Sequence, residues 1–508
     1  MTQPTDLYAL VAPFGQEQLL TFWQELDATR QVRLREEILA TDFDQIARLF
    51  RHRNDPPAAA ALASRAKEPT AFRLSDQRER VTPVKPGDYS GWSITPAEAI
   101  AAGEAALRAG KVAVAVVAGG QGTRLDFPHA KGIFPIGPVS NVSLFQIHIE
   151  RILAMGRRYG VRIPFCVQTS PATHEETLAY FRDNHNFGLA EDDVFIFCQG
   201  TIPSVDGDTG KILLAEKDVI ARSPDGHGGF LAAINMPLPQ SALASVRENG
   251  ILAELQNRGI DELFYFQVDN PVIDIASPEF LGYHLLAASE FSSQVVRKEH
   301  PLDRVGNMVM VDGSLHVIEY SDLPEEAANR RKPDGSLEIW AGSIAVHVMN
   351  VPFLRAKANL AGSLPYHVAK KKVPHIVLDP AEKTDDGATL FGTKVKPDKP
   401  NAIKFEKFIF DLLPQAKNPI VVEVDTQTCF APLKNHPNQP TDNPQTVQAG
   451  LANLYRLWLA ELGITVADGV TVEISPLFAN SAVELKERLA GSELVPPDRV
   501  IRQSVYWS

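Results

Sequence analysis

Residues 111–132, KVAVAVVAGGQGTRLDFPHAKG, decide how the rest of the chain is read. Val112 to Ala118 is an unbroken run of small and β-branched apolar side chains, the pattern of a parallel strand buried on both faces. It ends in Gly119, Gly120 and Gly122, with Arg124 two residues further on and Lys131 beyond. Glycines at the carboxyl end of a buried strand let backbone N–H groups approach a phosphate, and Arg and Lys supply the cations that balance it. Two commoner phosphate loops do not fit the spacing. A Walker A loop needs Gly-Lys-Ser/Thr after a glycine and four residues, and none occurs. The third glycine of a dinucleotide fingerprint would fall at position 125, which is Leu125. A glycine-rich turn with no ligand would need neither Arg124 nor Lys131.

The surrounding chain alternates. Helical PAEAIAAGEAALRAG precedes the strand, and helical SLFQIHIERILAMGRRYG, apolar PFCVQTS, helical HEETLAYFRDN and apolar VFIFCQG follow it. Further on, helical ILAELQNRG leads into apolar LFYFQVDN. Such alternation predicts a doubly wound, Rossmann-like α/β domain, here over 96–405. Ligands of such sheets bind at the carboxyl ends of the strands, where the glycines and Asp269 fall. Residues 15–50 read as amphipathic helices, with one stripe at Leu19, Leu20, Phe22, Trp23 and Leu26 and another at Val32, Leu34, Ile38 and Leu39. Asp42 reads as the cap of a short third helix, and 53–92 as an extended Pro-, Ala- and Gly-rich connector. The first 95 residues are therefore expected to be a helical segment plus connector. From 406 to 508 shorter strands and Pro-rich turns predict a smaller mixed α/β domain.

With 508 residues, 44% of them hydrophobic and 22% charged, the chain is expected to be globular with two or three domains. A net charge of -12 and the lack of any long Lys/Arg run argue against nucleic acid as a partner. No window is apolar enough for a membrane span and the N-terminus does not read as a secretory signal. Cys166, Cys198 and Cys429 have no paired metal-ligand spacing and read as free thiols of a reducing compartment. A cytoplasmic protein follows by elimination. Nothing in the sequence sets an oligomeric state.

The strand followed by AGGQGTRL and Lys-Gly resembles the signature of the UDP-sugar pyrophosphorylases, and within them the eukaryotic-type UDP-N-acetylglucosamine branch. The resemblance continues in order through GQEQLLTFWQEL, SLFQIHIERI, QGTIPSVD, PDGHGG, VDN, VIEYSDL, KPDKPNAIKFEKFIFD, PLKN and VEISPL. It implies a GT-A-like nucleotidyltransferase core that transfers a uridylyl group from UTP to a sugar 1-phosphate, first of all N-acetylglucosamine 1-phosphate, with release of pyrophosphate. Glucose 1-phosphate or a broader set of hexose 1-phosphates is the alternative acceptor. A non-catalytic UDP-sugar-binding homologue is the alternative class, and it would be expected to lose Arg124, Lys131 or Asp269. A nicotinamide oxidoreductase would suit the strand–helix alternation but not the broken third glycine.

The resemblance also assigns roles. Val117, Ala118, Gly119 and Gly120 are implied to contact the nucleotide, and Gln199 and Gly226 to hold the uracil. Arg124 and Lys131 would face the β- and γ-phosphates, Lys404 the UTP phosphates and Lys434 the sugar phosphate. Asp269 would hold a divalent cation, Mg2+ by expectation. Glu319 and Tyr320 would meet the sugar hydroxyls, with His227 and Ser343 beside them. Three positions depart from the family's pattern: Ala130 stands where proline is usual, and His227 and Ser343 stand where the acetylhexosamine enzymes carry Asn. His148, His284, His347 and His367, and the run Lys370 to Lys372, read as structural or solvated groups.

Overall fold

The computed structural model describes residues 4–54, 58–74, 94–241, 243–360, 362–383 and 388–508. The chain forms two compact units, each assembled from three separate stretches. The larger comprises Ala58–Gln199, Phe230–Ser363 and Phe410–Ser508; the smaller comprises Met1–Pro57, Gly200–Gly229 and Leu364–Ile409. The expected domains, by contrast, were consecutive stretches of chain.

The larger unit is built on nine strands: β1 (Val112–Val117), β2 (Phe165–Thr169), β3 (Val194–Cys198), β4 (Glu262–Gln267), β5 (Phe291–Arg297), β6 (Gly306–Val311), β7 (Ser314–Ile318), β8 (Ala341–Asn350) and β9 (Ile420–Glu423). Their order is β7-β6-β8-β4-β1-β2-β3, and β5 pairs with both β8 and β9. The block β4-β1-β2-β3 is parallel, and β8 joins it antiparallel to β4. β1 is buried along almost its whole length, as its apolar run requires. Sequence order reverses at β1, which has β2 on one side and β4 on the other. That is a topological switch point, where the strand ends splay and leave room for a ligand.

The helices expected between these strands are present at Pro96–Arg108, Leu144–Tyr159, His174–Asp183 and Ile251–Asn257. Thr95 and Glu98 close the first with reciprocal side-chain-to-backbone bonds. This helix crosses Pro278–Leu286 backbone to backbone. A Cβ on Gly103 would lie 1.9 Å from the Pro278 carbonyl oxygen, and one on Gly282 would lie 1.7 Å from that of Ala99. Only glycine fits at either position. The long helix Pro444–Glu461 contributes Leu451, Leu454 and Tyr455 to the same apolar core as Val114 of β1 and Phe264 of β4.

The smaller unit has its own core, in which Leu19, Leu20, Phe22, Leu34 and Ile38 pack with Val205, Ile220, Ile403 and Phe405. This unit contains helices Thr5–Val11, Ala28–Leu39 and Phe43–Arg51 and a three-stranded sheet of His367–Lys371, Ala402–Glu406 and Val205–Asp206. Asp42 caps the third helix by accepting from Gln45 N at 2.8 Å, as its position suggested. The buried carboxylate of Asp218 takes both Arg30 and Arg33.

Three details differ from the sequence reading. Residues 17–25 form short 3-10 turns rather than an α-helix, because Gln16 and Gln18 spend their side chains on the backbone of Gly210 and Ile212. Val32 and Leu39 are exposed at 54% and 56%, so only Leu34 and Ile38, four residues apart, face the core. Ala58–Arg65 is helical instead of extended, while 55–57 and 75–92 of the expected connector lie outside the described residues.

Candidate active site

Four parallel strands end side by side in the larger unit, and each delivers one part of the site. β1 runs out through Val117 and Ala118, held by Val268 N donating to Val117 O and Ala118 N to Gln168 O. β2 ends at Ser170, whose hydroxyl donates to Gly119 O at 2.6 Å. β3 ends at Gln199, whose Oε1 accepts from Gln168 Nε2 at 3.0 Å, which leaves the Gln199 amide nitrogen to donate elsewhere. A Cβ on Gly119 would meet Gln199 Oε1 and Ser170 at 3.2 Å, so a side chain here would crowd both neighbours. Gly120 lies exposed at the end of the strand.

β4 delivers Asp269, with its side chain 11% exposed. Its Oδ2 lies 3.9 Å from Lys131 Nζ, and the same ammonium donates to Leu433 O at 3.2 Å. Leu433 N returns a bond to Asp269 O at 2.8 Å. The neighbouring Asn270 clamps the same segment, donating to Cys429 O and accepting from Ala431 N. The loop carrying Lys434 is therefore fastened to the end of β4. Lys434 N and Asn435 N both donate to Asp442 O, and Lys434 Nζ sits 5.5 Å from the Phe430 ring centroid. His436 meets Asp126 at 2.8 Å, a second tie between this loop and the glycine loop. A cleft of about 820 Å³ borders Lys434 and Asp442 and is lined also by Lys298, Arg304 and Phe430. Arg124 is exposed on the turn Thr123–Leu125. The structure thus brings the glycine loop, Lys131, Asp269 and the Lys434 loop together.

A second group lies at the far strands of the same sheet. Gly306 opens β6 opposite Ser343 of β8, and Glu319 follows β7 directly. A Cβ on Gly306 would fall 3.5 Å from Glu319 Oε1 and 3.7 Å from Ser343 Cβ, so these three residues surround one spot. Tyr320 is exposed at 49%. Behind them Lys298 Nζ donates to Asn307 Oδ1 at 2.6 Å, and Asn307 Nδ2 donates to Ile318 O at 3.1 Å. Burial pulls the Lys298 ammonium down to about 8. Lys298, Gly306 and Asn307 carry no motif that marks them in the sequence.

Gly226, His227 and Lys404 belong to the smaller unit. Gly226 has φ +84° and a Cβ there would lie 2.4 Å from Lys407 O, so glycine is needed twice over. Its turn is bonded to Lys407 from both sides, Lys407 N donating to Asp225 O and Gly228 N to Lys407 O. The His227 ring stacks on Phe408 at 5.2 Å, and Phe408 in turn meets His367 at 4.4 Å. Ile409 N donates to His227 Nδ1 at 3.3 Å, which fixes the proton on Nε2. Burial, and the neighbouring His367 after it, pull His227 down to about 4, so it is a neutral donor at physiological pH. Burial also lowers Lys404, which stands opposite Ala369 in the three-stranded sheet.

Asp225, in the same turn, is pushed by burial from 3.8 up to about 6, against the lowering effect of Lys407. A raised carboxyl pKa means that the folded state holds this proton more tightly than the unfolded chain. The stability it lends below about pH 4 is lost as pH rises through about 6. Asp225→Asn should escape that loss, gaining up to about 3 kcal/mol on the wild type between pH 4 and pH 8. Melting temperatures of both proteins at the two pH values read this difference; parallel behaviour would refute it.

Of the histidines read as structural, His148, His284 and His347 sit in the core, while His367 is half-buried beside Phe408. His148 donates to Val268 O at 2.9 Å and burial takes it down to about 4. His284 bridges Ser292 and Glu262, and His347 meets Ser293. Lys370, Lys371 and Lys372 are exposed. Among the described residues, no group of three or more His, Cys, Asp or Glu could hold a metal ion by itself. Among them too, no helix is long and apolar enough to cross a membrane.

A phosphate-type glycine loop facing a lysine–carboxylate pair across the switch point of a Rossmann-like sheet defines a nucleotidyltransferase fold. Residues 76–436 match the family model described as UTP--glucose-1-phosphate uridylyltransferase, and the chain belongs to that family. It is 33% identical over 499 residues to the UDP-N-acetylglucosamine pyrophosphorylase of Saccharomyces cerevisiae, covering 95% of this chain and 97% of the yeast protein. It is also 33% identical to the human UDP-N-acetylhexosamine pyrophosphorylase-like protein 1, covering 98% and 97% of the two chains. The crystal structure of the Trypanosoma brucei uridine diphosphate N-acetylglucosamine pyrophosphorylase in complex with inhibitor has the same fold. Its TM-score is 0.78 with 23% identity, over 100% of this chain and 98% of that one.

Proposed function

We propose that this chain transfers the uridylyl group of UTP to N-acetylglucosamine 1-phosphate, forming the UDP-sugar and pyrophosphate. The observation that carries the proposal is the convergence of the Gly119–Gly120 backbone, Lys131, Asp269 and the Lys434 loop at the ends of β1 and β4. In the reaction an oxygen of the sugar phosphate bonds to the α-phosphorus of UTP while the bond to the β-phosphate oxygen breaks and pyrophosphate leaves in line. No covalent enzyme intermediate is needed, so positioning and charge neutralisation are the whole task.

The residues divide that task. Gly119 and Gly120 offer backbone to the nucleotide, and the Gln199 amide nitrogen and Gly226 bind the uracil. Lys131 and Arg124 neutralise the β- and γ-phosphates and the pyrophosphate that they become. Lys404 adds charge on UTP, and Lys434 holds the attacking phosphate. Asp269 would hold Mg2+, whose chemistry is to share charge among phosphate oxygens. A single protein carboxylate suits that ion, which takes its other ligands from phosphates and water. Glu319 and Tyr320 receive the sugar hydroxyls, with Ser343 beside Gly306. His227 takes the place beside the sugar where the acetylhexosamine enzymes carry Asn. The three free thiols support a cytoplasmic setting.

Pyrophosphate release from UTP and Mg2+ with N-acetylglucosamine, N-acetylgalactosamine and glucose 1-phosphates tests this reading. Preference for the N-acetyl sugars is the expected result. Preference for glucose 1-phosphate would overturn the acceptor and point to His227 and Ser343. No release with any of them would leave a UDP-sugar-binding homologue.

A further inference from the structure

The arm of the glycine loop that carries Lys131 is held from outside by a residue that no motif marks. The loop folds back on itself: Lys131 N donates to Gly120 O at 3.0 Å and Gly122 N to His129 O at 2.9 Å, so Gln121 and Ala130 pair as an antiparallel bridge. Both bonds use groups of flanking residues. The N–H of Ala130 itself therefore points away from the loop, and it donates to Glu176 Oε2 at 2.6 Å. The other oxygen of Glu176 meets His129 Nδ1 at 2.5 Å. One carboxylate thus grips the two residues immediately before Lys131. Its helix, His174–Asp183, is itself anchored by buried Thr177 and Phe181.

We propose that Glu176 is a positioning residue for Lys131 in the uridylyl transfer described above, an inference that rests on that reading. Ala130 has φ −57° and ψ 127°, the conformation that a proline ring would impose. The family resemblance leads one to expect proline there, and alanine leaves the torsion free. Glu176 restores the restraint by taking the N–H that alanine has and proline lacks. Ring and carboxylate are alternative ways to fix the same peptide and so to set where Nζ of Lys131 meets Asp269 and the phosphates. Because the side chains of His129 and Glu176 are 53% and 37% exposed, the contact adds little to global stability. Its effect lies in local order.

The test compares wild type, Glu176→Ala, Glu176→Gln and the double variant Ala130→Pro/Glu176→Ala. Glu176→Ala should lower kcat/KM for UTP roughly tenfold or more, while the melting temperature barely moves. Glu176→Gln keeps an oxygen for Ala130 N–H and should retain most of the rate. In the double variant the ring Cδ takes the direction of the lost N–H, into space that Glu176 has vacated, and kcat/KM should return to within about twofold of wild type. Amide exchange over residues 127–131 is an independent readout, expected to be faster in Glu176→Ala than in wild type. A wild-type rate in Glu176→Ala, no recovery in the double variant, or unchanged exchange would each overturn the proposal. The exchange measurement needs no turnover, so it still decides about the latch if the wild type transfers no uridylyl group.

Discussion

Lys131→Ala is expected to lower kcat/KM for UTP by about a thousandfold, equivalent to ~4 kcal/mol of transition-state stabilisation, with the fold intact. The size of the effect follows from where the ammonium sits. Lys131 Nζ is held between Leu433 O and the Asp269 carboxylate, and its side chain is only 19% exposed. A charge already fixed there needs no reorganisation when the β-phosphate oxygen takes up negative charge as the bond to the α-phosphorus breaks. The loop itself does not depend on the side chain, because the Lys131 backbone keeps its bond to Gly120 O. Steady-state kinetics beside thermal melting check this. A rate within a few-fold of wild type would remove Lys131 from the mechanism.

Asp269→Asn should be comparably severe, again about a thousandfold in kcat/KM, accompanied by a rise of at least roughly tenfold in the Mg2+ concentration needed for half-maximal rate. The amide preserves side-chain volume, and the bond from Leu433 N to the main-chain oxygen of residue 269 is untouched. What disappears is one negative charge beside Lys131. Titrating Mg2+ at saturating UTP separates loss of the ion from loss of the fold. An unchanged Mg2+ requirement would assign the ion's carboxylate elsewhere.

The parts of the fold that could be read from the residues are those with an unambiguous period. β1 announces itself as seven apolar residues in a row, and Leu144–Tyr159 as a long helical stripe. The N-terminal turns could not be read, because Leu19, Leu20 and Phe22 are buried through tertiary bonds from Gln16 and Gln18, which local periodicity does not encode. Exposed Val32 and Leu39 misled for a related reason: apolar character alone does not say which face of a helix finds a partner. In the site, residues within motifs were legible and their supports were not. Lys131 and Asp269 lie in AKG and VDN, whereas Glu176 lies in an ordinary charged helical turn and acquires meaning only when its helix reaches Ala130. Lys298, just past β5, meets Asn307 of β6, two strands that each pair with β8 and not with one another, an arrangement no spacing reveals.

The three-part build of the smaller unit sets a timetable for the ribosome. Its core joins Leu19, Leu20, Phe22, Leu34 and Ile38 to Val205, Ile220, Ile403 and Phe405, so its N-terminal helices cannot be fully covered until residue 405 has been made. At bacterial or eukaryotic elongation speeds, about 5–20 residues per second, that leaves apolar N-terminal side chains waiting for tens of seconds. A chain stopped before residue 403 would lack Ile403 and Phe405 and leave this core without part of its sheet.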